Sequence, residues 1–110
     1  MNATTTASRH ADNLSGLSSH AFQYAAVAAF RRLAVLGWTQ EEIHADRHGI
    51  AARVNDATAA AFPSAMDDAR QAIEAGMDEA ATQTFAASFA LAGIAAANAH
   101  HDAARPALVA

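Results

Sequence analysis

The stretch Ala80-Ala81-Thr82-Gln83-Thr84-Phe85-Ala86-Ala87-Ser88-Phe89-Ala90-Leu91-Ala92-Gly93-Ile94-Ala95-Ala96-Ala97-Asn98-Ala99 contains no charged side chain. Such a run has the length of a membrane-crossing helix, about 20 residues for a hydrocarbon core of about 30 Å. Its composition argues for a different reading. Alanine dominates, and Thr82, Gln83, Thr84, Ser88 and Asn98 are polar. Only Phe85, Phe89, Leu91 and Ile94 are large and apolar. Alanine removes little area from water, so the run reads as a packed helix of an all-α fold with no membrane.

A helix that is apolar on all sides must be covered on most of its faces. A chain of 110 residues makes one domain and one modest core. It has few residues with which to surround a central helix. A homo-oligomer formed through residues 80–99 is therefore expected, with small side chains allowing close approach.

Upstream, the period is helical throughout, and no segment alternates as a strand would. A first helix is expected from Ser18 or Ser19 to Leu36, with Phe22, Ala26, Ala29, Leu33 and Leu36 on its apolar face. Gly37 is placed to stop it in the left-handed conformation. Thr39-Gln40-Glu41-Glu42 has the spacing of a capping box, with Trp38 before it and Ile43 four residues beyond the cap. The second helix should run from there to Phe62, because Pro63 disfavours the α conformation in the residue before it. Ser64 and Asp67 cap a third helix, whose apolar side is Met66, Ala69, Ile73 and Met77. Gly76 either ends that helix or lies within it. Asp78 and Glu79 suit the first turn of the last helix, where the dipole favours negative charge.

The expected architecture is a three- or four-helix bundle with Ala-rich close packing. Residues 1–17 form a flexible N-terminal tail, 18–101 the helical domain and 102–110 a flexible C-terminal tail. Hydrophobic residues reach 53%, but alanine supplies most of them and aromatics make up only 6%. Close helix contacts are expected instead of a thick core of large side chains.

Charge and cysteine content narrow the function classes. The chain has no cysteine, hence no disulfide, thiolate metal site or thiol nucleophile. Its first twenty residues lack an apolar core behind a basic start, so a cytoplasmic location is expected. The net charge of −4 disfavours a general nucleic-acid coat. No nucleophile elbow and no glycine-rich phosphate loop occur, and the carboxylates read as a solvated run. A non-enzymatic protein without a cofactor is therefore expected.

Three surfaces remain as candidates. Asp67, Asp68, Glu74, Asp78 and Glu79 stand against a single Arg70 and form an acidic face suited to a basic protein partner. This supports a regulator, adaptor or stoichiometric inhibitor that acts by protein–protein binding. The alternative is a helix-turn-helix-like DNA-binding regulator. Its turn would be Gly49-Ile50 and its reading helix Ala51 to Phe62, offering Arg53, Asn55 and Thr58 to base edges. Asp56 would oppose phosphate there. The third reading is a metal- or haem-binding bundle, since His44 and His48 lie four apart, Glu41 precedes His44 by three, and His100, His101 and Asp102 cluster near the far end. Ala45 stands where a metalloprotease helix needs Glu, and a second Glu-x-x-His pair is missing, so no metal ligands are assigned.

Overall fold

A computed structural model describes residues 12–13 and 15–105. Among these residues the chain is helix and turn, with no strand. Residues 15–19 form a short helical segment. It leads into α1 (Ala21–Val35), α2 (Gln40–Ala45), α3 (Arg47–Glu74) and α4 (Asp78–Ala104). α4 packs against both α1 and α3, and α1 also touches α3. Most of the residues expected as flexible tails lie outside the described part. Within it, Leu17 joins the core and α4 continues past His101 to Ala104.

The buried stripe of α1 is Ala21, Ala25, Ala29 and Leu33, at four-residue spacing. The expected stripe shared Ala29 and Leu33 but began at Phe22, which is exposed. The reason lies on the facing helix. A Cβ built on Gly93 of α4 would stand 2.0 Å from the carbonyl oxygen of Ala25. At that separation only small side chains fit the seam, so the phenylalanines of α1 are turned away from it.

Gly37 stops its helix as expected, and Gly76, which the sequence leaves open, is a stop as well. Gly37 has φ +97°, and the Gly37 and Trp38 amides donate to the Ala34 and Leu33 carbonyls. Gly76 has φ +79°, and the Gly76 and Met77 amides donate to the Ile73 and Ala72 carbonyls. Both sets of paired bonds are Schellman motifs, in which a left-handed residue lets the last helical carbonyls find donors. At the start of α2, the Thr39 hydroxyl accepts from the Glu42 amide at 3.1 Å, and the Glu42 carboxylate accepts from the Thr39 amide at 2.9 Å. The capping box is complete.

Two helix boundaries differ from expectation. The helix opened by Thr39 does not run unbroken to Phe62, because Asp46 (φ −97°, ψ 10°) separates α2 from α3. Its carboxylate meets His100 of α4 at 3.1 Å. Conversely, Pro63 does not end a helix, and α3 continues through it for 28 residues. Pro63 lies on the exposed side, as does Ala59, whose carbonyl loses its helical donor to the proline ring. Water can solvate that carbonyl. Burial of Ile50 and Val54 before the proline, and of Ala65, Ala69 and Ile73 after it, holds the helix on course.

The core lies along α4. Ala81, Phe85, Phe89, Gly93, Ala96, Ala97 and His100 form its buried stripe. The Phe85 and Phe89 rings have centroids 4.6 Å apart, with Phe62 tilted against Phe89 and Tyr24 edge-on to Phe85. Leu33, Ile50, Val54 and Ile73 complete the fully buried set. Each of these large side chains contributes about 1.5–3 kcal/mol by leaving water.

Candidate functional site

The side of α4 opposite its buried stripe is open. Thr84, Ala87, Leu91 and Ala95 are exposed, and Leu91 retains 67% of its surface. By length and composition α4 could cross a membrane, yet 33% of that apolar window is buried against the rest of the chain. On α1, Val27 and Val35 are exposed, Val35 at 75%. A groove walled by Val27, Ala28, Ala86 and Ala90 joins the two helices, and a second, walled by Ala28, Val35 and Ile94, continues it. Arg31 and Arg32 border this face, and Arg32 donates to Asn98 of α4 at 2.8 Å. The outward side of α3 has the opposite character and carries Arg47, Arg53, Asp56, Asp67, Asp68, Arg70 and Glu74, all exposed. The molecule thus has an apolar α1–α4 face and a charged α3 face.

The five expected acidic residues gather near the α3–α4 turn, but three are already engaged within the chain. The Arg70 guanidinium contacts Asp67 at 2.6 Å and Glu74 at 3.3 Å, and Gln71 donates to Asp67 at 2.9 Å. The hydrogen bond from Arg70 holds the Asp67 carboxyl below the usual carboxylate range, and Asp67 in turn raises the Arg70 guanidinium above its own. Asp78 accepts from the Asn13 amide at 2.8 Å. Asp68 and Glu79 are exposed and have no side-chain partner among the described residues.

The residues proposed to read DNA are placed differently from the motif. Gly49 and Ile50 lie inside α3, so the turn falls at Asp46 instead. Arg53 donates from Nε to His100, Thr58 has a buried hydroxyl without a partner, and Asn55 is exposed. His44 and His48 are exposed on either side of the Asp46 break. Among the described residues no three His, Asp or Glu side chains converge as metal ligands would.

A polar cluster that the spacing did not suggest sits where α2, α3 and the end of α4 meet. His100 is buried at 8% exposure. Its Nδ1 accepts from Arg53 Nε at 3.2 Å, and its Nε2 lies 3.1 Å from Asp46. Because arginine only donates, the His100 ring proton belongs on Nε2, facing the carboxylate. Trp38 packs against the His100 ring and donates its indole N–H to His101 Nδ1 at 2.9 Å. Arg105 stacks over the Trp38 ring, 4.2 Å from its centroid, and pairs with Glu42. The Glu42 of the capping box thereby also ties α2 to the end of α4. Among the described residues no hydroxyl hydrogen-bonds the His100 ring. The cluster joins three elements, and its groups bond to one another. Comparison with protein-family models, with curated proteins and with solved structures finds no match for this chain.

Proposed function

We propose that this chain is a three- or four-helix bundle that acts without catalysis, by binding another protein, and that it pairs with a second copy of itself along residues 80–99. The observation that carries this reading is Leu91, 67% exposed in the middle of the charge-free run 80–99, on the side of α4 away from the buried stripe. An exposed apolar surface is a common mark of an interaction site. A two-fold pairing of α4 places no like charges opposite one another, since residues 80–99 carry none. Its alanines would allow the close backbone approach that Ala25 and Gly93 already make inside the molecule.

The acidic end is a second place for a partner. Asp68, Asp78 and Glu79 carry that role better than Asp67 and Glu74, whose charges Arg70 balances. The lack of cysteine fits a cytoplasmic setting. Light scattering tests the main reading. The wild type should have the mass of an oligomer, and Leu91→Glu should have that of a monomer with unchanged helicity. A monomeric wild type would overturn self-association through α4.

A further inference from the structure

The geometry points to the groove between α1 and α2 as a binding site for an amphiphilic anion, an apolar chain or ring that bears one carboxylate, sulfonate or phosphate head. The groove is a shallow, open hollow of about 510 Å³. Phe30, Ala34 and Ile43 supply apolar walls, and Phe30 keeps 39% of its surface exposed. Arg31, His44 and Arg47 also line it, and no Asp or Glu does. In a chain of net charge −4, two arginines around an apolar hollow are a local exception.

The state of the arginines carries the argument further. Arg32 bonds Asn98, Arg53 bonds His100, Arg70 bonds Asp67 and Glu74, and Arg105 bonds Glu42. Arg31 and Arg47 are the described arginines that bond no side chain among the described residues. Both line this groove. Arg47 spends one donor on the His44 carbonyl at 2.8 Å, which tethers its guanidinium at the rim and leaves the remaining N–H groups for a ligand. Local structure explains the convergence. Phe30, Arg31 and Ala34 share one face of α1, Ile43 and His44 come from α2, and Arg47, the first residue of α3, is brought to them by its bond to the His44 carbonyl. An apolar body against Phe30 and Ile43 would place its anionic head between two guanidinium groups, each suited to a charge-assisted bond with an oxyanion.

This inference goes beyond the protein-binding reading, and Leu91, on which that reading turns, lines no part of the groove. The test uses the full chain and three probes. 8-Anilinonaphthalene-1-sulfonate reports occupancy by fluorescence, and decanoate and decanol compete with it. Decanoate should displace the dye at a concentration about fivefold or more below that of decanol, the factor expected for about 1 kcal/mol of rim electrostatics. Arg47→Gln, at a residue that lines this groove and neither α1–α4 groove, should narrow that difference, and Leu91→Gln should preserve it. In the wild type, added salt should narrow the difference, a measurement that needs no variant to fold. Equal displacement by acid and alcohol, or a difference insensitive to salt, would overturn the proposal. So would a loss seen with Leu91→Gln and not with the arginine variant, which would locate the dye on the α1–α4 face.

Discussion

The carbonyl oxygen of Ala25 occupies the space that a Cβ on residue 93 would need, at 2.0 Å. This contact sets the separation of α1 and α4, and with it the residues each helix can bury. Gly93→Ala cannot be absorbed by a rotamer change, since the obstacle is backbone and both helices are long. The variant should lose about 3 kcal/mol, at the upper end for overpacking, despite the higher helix propensity of alanine. Chemical denaturation followed by circular dichroism measures it. A neutral or stabilising result would mean that the seam opens freely.

Pro63 makes the contrasting case. It sits on the exposed side of α3, where it removes a backbone donor without adding to the core. Pro63→Ala restores the bond to the Ala59 carbonyl and should raise stability by about 1–3 kcal/mol. A loss of stability in a thermal melt would show that the proline fixes a bend the packing requires.

The legible parts of the fold were those set by neighbours in sequence. Gly37 and the Thr39–Glu42 capping box act over a few residues, and both form, whereas the same local chemistry at Gly76 left open whether the helix ends there, which it does. Pro63 and Asp46 were misread because tertiary contacts overrule local preference at both. Burial on either side carries α3 across the proline, and the chain breaks at Asp46, whose carboxylate meets a histidine 54 positions away. The apolar stripe of α1 was misplaced because large side chains were taken to mark the core, where the seam accepts only small ones. The cluster of Trp38, Asp46, Arg53, His100 and Arg105 joins residues from distant segments, and no single window contains its pattern. The acidic residues were legible as a group. The position of Arg70 three beyond Asp67 and four before Glu74 already implied their internal pairing.

That pairing makes a pH prediction. The folded-state pKa of Asp67 is depressed, chiefly by its hydrogen bond from Arg70. Its contribution to stability is therefore present above the ordinary carboxylate range and is lost as pH falls through the depressed value. The Asp67 side chain keeps 53% of its surface in contact with solvent, so salt should weaken the effect. Carboxyl chemical shifts followed by NMR should show Asp67 titrating below the ordinary carboxylate range. Arg70→Gln should move Asp67 back to the ordinary range, and an unmoved Asp67 would refute the assignment.

The tautomer of His100 is open to direct measurement. Arg53 can only donate, so the Nδ1 it meets must be the unprotonated nitrogen, with the ring proton on Nε2 toward Asp46. Two-bond nitrogen–proton correlation spectra at neutral pH should report the Nε2–H form. Gly49 bears on the same ring, since a Cβ there would lie 3.2 Å from His100 Cε1. Gly49→Ala should therefore perturb the His100 resonances even if helix propensity offsets the crowding in overall stability. His100→Ala leaves Arg53 and Asp46 without their shared partner and opens a void beneath Trp38, at a cost of about 2 kcal/mol. Arg53→Gln keeps a donor in reach and should preserve the tautomer, whereas Arg53→Leu should release it to a mixture. If the leucine variant retained the pure Nε2–H form, Asp46 alone would be sufficient to orient the ring.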